Sequence, residues 1–86
     1  MEFEYMKFPT QVKEVAREIK RACNNYKART IGNNKLKEVI MHYAVKYPEK
    51  LFSGDDLNPT VKLILGKQRK ELVNKILEDR GEIYVK

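Results

Sequence analysis

The sequence predicts a mainly α fold: a compact domain of three to four helices, closed by a short two-stranded β-ribbon formed by the N- and C-terminal segments. Apolar residues recur at steps of three and four along three long segments, the mark of helices that bury one face. Residues 1–86 make a single small helical domain, because a chain this short supports only one modest core. Both ends differ from the middle: EFEY alternates polar and apolar residues, and EIYVK is β-branched and aromatic. With 42% hydrophobic residues against a net charge of +6, the chain is globular rather than disordered.

The first helix follows Pro9, with Thr10 as its expected N-cap. Val12, Val15, Ala16, Ile19, Ala22, Cys23 and Tyr26 lie on one stripe. The helix should fade near Arg29, because Thr30, Ile31, Gly32, Asn33 and Asn34 form a breaker cluster. Asn33 or Asn34 is then placed to cap a second helix, whose stripe is Leu36, Val39, Ile40, Tyr43, Ala44 and Tyr47. Pro48 disfavours helical geometry at Tyr47 and should end it. Met41 and Val45 fall on the other side, so this helix is either central or meets a partner.

The third helix has the clearest start, with Asn58 as N-cap and Pro59 at the first helical position. Val61, Ile64, Leu65, Leu72, Val73, Ile76 and Leu77 supply its apolar face. Gly66 interrupts that face, and the stripe rotates across it, so a kink or two short helices meeting at Gly66 is expected. Gly81 sits at the position of a C-terminal helix stop.

The chain offers little for catalysis. It has one cysteine, one histidine and one serine, and no catalytic residue is assigned. Cys23 lies on the apolar stripe as a small buried hydrophobe. His42 lies opposite the core stripe of its helix, as a surface histidine without a second ligand. Asp55 and Asp56 in SGDDLNP are adjacent and lack the alternate spacing of a calcium loop, so turn chemistry explains them. No metal, cofactor or small-molecule substrate is expected, and the chain is read as a non-enzyme. The lone cysteine also excludes an internal disulfide and suits a reducing compartment. No apolar run approaches the roughly 20 residues that span a bilayer. The segment MEFEYMKF lacks the apolar core of a signal peptide, and the expected location is cytoplasmic, away from membranes.

The charge is more informative. Residues 19–37, IKRACNNYKARTIGNNKLK, contain six lysines and arginines and no acidic residue. Lys13, Arg17, Lys20 and Lys27 share one flank of the first helix, while Glu14 and Glu18 lie on the other. Arg29 and Lys35 extend the basic flank into the following loop, and Lys67, Arg69 and Lys70 follow Gly66. These nine residues are the candidate phosphate contacts of a nucleic-acid-binding protein, with duplex DNA favoured over RNA. The aromatic residues Tyr26, Tyr43 and Tyr47 fall on core stripes, which argues against single-strand stacking.

Three helices and a ribbon are compatible with a winged-helix-like or helix-turn-helix relative by analogy of fold. The long YPEKLFSGDDLNP connection departs from the three- or four-residue turn of that motif, and a helix pair meeting at Gly66 is the alternative. Two other readings stand beside this one. The basic flank also reads as a solvated surface with pairs such as Glu14–Arg17 and Glu18–Arg21, or as a face for an acidic protein. Met41 and Val45 alternatively mark a protein–protein interaction patch on a small regulator, an inhibitor or a homodimer.

YPEKLF together with NPTVKLILGKQRKELVNKILED resembles an uncharacterised family of small, basic, helical Firmicute proteins found in chromosomes and mobile elements. The resemblance is carried by Leu65, Gly66, Lys67, Arg69, Leu72, Val73, Ile76 and Leu77, over the last half of the chain. It implies a bacterial or phage-type cytoplasmic protein and brings no activity with it.

Overall fold

The first apolar stripe folds as expected. In the computed structural model, which describes residues 3–54 and 56–80, it forms helix α1 (Val12–Lys27). Its N-cap is Gln11 rather than Thr10, in an extended conformation. The reason is Glu14, three residues on. Its Oε1 accepts the Thr10 N–H at 2.8 Å, the Gln11 N–H at 3.2 Å and the Thr10 hydroxyl at 3.2 Å. A carboxylate in the first turn satisfies orphan donors and complements the helix dipole, so the threonine hydroxyl need not act as the cap acceptor.

The other end of α1 closes as a Schellman turn. Thr30 N–H donates to the Asn25 carbonyl at 2.9 Å, and Arg29 N–H donates to the Tyr26 carbonyl at 3.0 Å. Arg29 occupies the left-handed position of that turn, at φ 66°, where glycine is the usual residue.

Helix α2 (Asn33–Lys46) starts from Gly32, and neither asparagine caps it; both are already inside the helix. Pro48 ends it as expected and opens a single turn, α3 (Pro48–Leu51). The connection that followed from sequence as a long loop is therefore structured. Strands β1 (Phe52–Ser53) and β2 (Asp56–Leu57) pair antiparallel, Phe52 opposite Leu57 and Ser53 opposite Asp56. Gly54 takes the left-handed conformation that this tight connection needs.

The fold is thus mainly α with a short two-stranded ribbon, but the ribbon lies before the last helix. Phe3–Met6 belong to no strand among the described residues, and EIYVK lies outside them, as does Gly81.

Helix α4 (Pro59–Arg80) begins at Asn58, whose Oδ1 accepts the Thr60 N–H at 2.8 Å. At Gly66 the backbone leaves helical geometry, with φ 80° and ψ 173°, and the helix breaks into two pieces. This explains the rotation of the apolar stripe: Val61 and Leu65 are buried by the first piece, Val73, Ile76 and Leu77 by the second.

The core is apolar throughout among the described residues. Val15, Ala16, Ile19, Ala22 and Cys23 of α1 meet Leu36, Val39, Ile40, Tyr43 and Ala44 of α2, with Leu51, Leu57 and the α4 residues closing it. Helix α1 is central and packs most extensively against α4. The N-terminal arm lies over α1 and α2. The Arg21 guanidinium donates to the Glu4 carbonyl, the Tyr43 hydroxyl donates to the Met6 carbonyl, and the Tyr5 hydroxyl donates to Glu38 at 3.0 Å.

That arm changes the place of His42. It is half-buried rather than a surface residue, with Nε2 3.0 Å from the Lys7 carbonyl and its ring edge-on to Tyr5 and Tyr43. The arm supplies the partner that helical spacing could not show. Met41 is also half-buried against the core, whereas Val45 is 55% exposed.

Gly66→Ala tests the break. A Cβ there would meet only Arg69 Nη1, at 3.9 Å, so the cost is backbone strain and not collision. The backbone lies in a region reserved for glycine, and the expected destabilisation is about 1–3 kcal/mol by urea denaturation. A variant as stable as the parent would show that the helix runs through residue 66.

Candidate functional site

The two flanks of α1 are treated differently by the rest of the molecule. On the acid-bearing flank every carboxylate is occupied. Glu14 holds the residues before the helix, and Glu18 accepts from Arg21 at 2.7 Å and from the Met6 N–H at 3.3 Å. The expected Glu18–Arg21 pair therefore forms. Glu14 is drawn to the helix start instead of Arg17; the Thr10 N–H above all holds its carboxyl below the usual range, and Arg17 acts only as a more distant charge.

The opposite flank carries Lys13, Arg17, Lys20, Asn24 and Lys27, at steps of four, three, four and three. Among the described residues, no hydrogen bond or ion pair engages the side chains of Lys13, Arg17 or Lys20. The acids that would neutralise them are committed elsewhere.

Past Lys27 the surface turns into the Arg29 loop. Tyr26, Lys27, Arg29, Thr30, Ile31 and Gly32 line an open pocket of about 560 Å³. Arg29 is exposed and projects from its left-handed backbone, and no side chain caps α2 next door. Two cations and the uncapped start of a 14-residue helix make this end of the surface receptive to anions. Lys35 does not add to it, since it pairs with Glu38 at 3.2 Å.

The residues after Gly66 divide. Lys67 is exposed and without a partner among the described residues, in the first turn of the second piece of α4. Lys70 is half-buried and close enough to Asp56 to help hold that carboxyl below its usual range; the larger effects there are the Lys62 ammonium at 2.7 Å and the Leu57 N–H. Arg69 is committed to the fold: Nε donates to Asn24 Oδ1 at 2.8 Å, and Nη1 donates to the Leu65 carbonyl at 3.0 Å. Gln68 accepts from Lys27 Nζ at 3.4 Å, so the first turn after the break abuts the last turn of α1.

The structure therefore leaves Lys13, Arg17, Lys20, Lys27 and Arg29 along one flank of α1 and the loop after it, with Lys67 exposed in the turn of α4 that abuts the last turn of α1. Asn24 escaped the sequence reading, although it fills the gap between Lys20 and Lys27 in the same four-three spacing. Cys23 lies beneath this surface, fully buried. Burial pushes its thiol up to about 11, against a smaller opposing pull from Arg69 and Lys27.

The chain belongs to a family described as "Conserved hypothetical protein", whose model matches residues 6–78. No curated protein and no solved structure matches it. Among the described residues no helix is long and apolar enough to cross a membrane.

The Cys23 thiol should behave as part of the core. An aromatic disulfide reagent at pH 8 is expected to leave it unmodified in the native protein and to titrate one thiol after denaturation. Its folded pKa is raised, so its contribution to stability is full below about 9 and is lost as pH rises towards about 11. Rapid native-state modification would place the thiol at the surface.

Proposed function

We propose that this chain is a non-enzymatic nucleic-acid-binding protein, regulatory or accessory in role, that grips the phosphates of duplex DNA with the basic flank of α1 and the loop after it. One observation carries the reading: among the described residues the side chains of Lys13, Arg17 and Lys20 make no hydrogen bond or ion pair, while both acids of the same helix are engaged elsewhere. Arg29 adds support. It holds a left-handed backbone position where an L-residue costs about 1–2 kcal/mol relative to glycine, and its side chain faces the open pocket.

The ligand is better matched to a duplex than to a single strand. Among the described residues Phe8 is the strongly exposed ring, at 82%, and it belongs to the arm on α2 rather than to the basic flank. Tyr26 is half-buried against the core. A single strand would require stacking platforms among the cations. The one-residue break at Gly66 is shorter than the turn of a helix-turn-helix, so the reading rests on phosphate contacts and not on a recognition helix.

Fluorescence anisotropy with a labelled duplex tests this. Engagement of about four phosphates gives a log–log salt slope near −3.6, with single-stranded DNA and RNA bound more weakly. Arg17→Glu and Lys20→Glu should each abolish most binding. Arg29→Gly should weaken binding while leaving stability unchanged or raising it by up to about 1 kcal/mol. A flat salt dependence sinks the proposal.

Val45, 55% exposed on α2, favours a second reading as a protein-interaction surface, although Met41 is largely taken up by the core. Sedimentation of Val45→Asp separates the two: a dimer that dissociates on this change supports the interface, and an unchanged monomer removes it.

A further inference from the structure

Arg69 looks from sequence like a phosphate ligand, and the geometry gives it a different task. We infer that Arg69 is a positioning residue: its guanidinium locks the break at Gly66 onto α1, so that the turn after the break adds Lys67 to the basic surface. This role depends on the nucleic-acid binding proposed for that surface.

The break creates the need. At φ 80° and ψ 173°, Gly66 ends the helical ladder, and the carbonyls of the preceding turn lose their regular donors. Arg69 Nη1 donates to one of them, Leu65, at 3.0 Å. The same guanidinium donates through Nε to Asn24 Oδ1 at 2.8 Å. One planar fork thus ties three points together: the end of the first piece of α4, the start of the second, and the basic flank of α1. A lysine has one ammonium on a flexible stem and cannot hold both directions at once.

The neighbours fit this role. Gln68 meets Lys27 at 3.4 Å on the same contact, and Arg69 and Lys27 are the two cations that act on the Cys23 thiol below. Arg69 is half-buried, whereas Lys67 is exposed. Two of the five N–H donors of Arg69, including the one on Nε, are committed to the fold, which takes the Nε edge of the fork away from phosphate. Asn24 is uncharged, yet it stands within a row of cations; its amide oxygen is the acceptor that seats the clamp.

The test uses Asn24→Ala, Arg69→Lys and Lys67→Gln in the full chain, each first shown to melt cooperatively. Asn24→Ala and Arg69→Lys break the same hydrogen bond from opposite ends, so loss of folding in one leaves the other decisive. Binding to a labelled duplex is read between about 50 and 200 mM salt. Asn24→Ala removes no charge, yet it should weaken binding about fourfold at about 200 mM salt and flatten the slope by about 0.9, the loss of one phosphate contact. Arg69→Lys keeps the charge and should match it. Lys67→Gln should show the same loss, and adding it to Asn24→Ala should cost nothing further.

Wild-type affinity and slope in both Asn24→Ala and Arg69→Lys would overturn the clamp. If the parent chain binds no duplex, the nucleic-acid proposal fails and NMR decides the clamp separately. A slowly exchanging, dispersed Arg69 Hε resonance that disappears in Asn24→Ala upholds it; no such resonance in the parent overturns it.

Discussion

Helix α1 buries Val15, Ala16, Ile19, Ala22 and Cys23 completely, and the position of every other element follows from covering that stripe. A small domain has one core to share, and each fully buried valine, leucine or isoleucine contributes about 1.5–3 kcal/mol. Helices α2 and α4 both pack on α1, α4 more extensively. A straight α4 would present Val61 and Leu65 on a different bearing from Val73 and Leu77. The break at Gly66 brings both sets into the same core.

Once the stripe is covered, the two remaining flanks of α1 acquire different surroundings. The arm packs where Glu18 and Arg21 project, and its backbone supplies the Met6 N–H and the Glu4 carbonyl as partners. The start of the second piece of α4 packs near the far end of the other flank, through Asn24 and Lys27. That leaves Lys13, Arg17 and Lys20 without an ion-pair partner among the described residues. The positive surface is a consequence of where the acids are used, more than of how many cations the chain holds. Long, flexible lysines remain solvated at little cost, so such a surface is stable in water.

Much of this was legible in the residues. Apolar periodicity located the three long helices, Asn58–Pro59 marked the start of α4, Pro48 marked the end of α2, and Gly66 announced the break. Four-three spacing placed Lys13, Arg17, Lys20 and Lys27 on one flank. These are local properties, set by backbone sterics and by which face a residue shares, and they survive any tertiary arrangement. The caps were less legible. Thr10 and Asn33 are good cap residues by type, yet Gln11, whose N–H is held by the Glu14 carboxylate, and the glycine at position 32 took those roles.

What the sequence alone determined, then, is the set of helices, their faces and the excess of positive charge. Only the tertiary structure decided which charges are free. His42 became half-buried because an arm residue 35 positions away supplies the Lys7 carbonyl. Arg69 became a strut because Asn24, 45 positions away, accepts from it. The ribbon formed beside α3 because Phe52 and Leu57 could pair across a tight turn next to the core. Such partners are chosen by packing, which brings together groups that no spacing rule relates. A side chain's availability is therefore a property of the fold and not of its residue type.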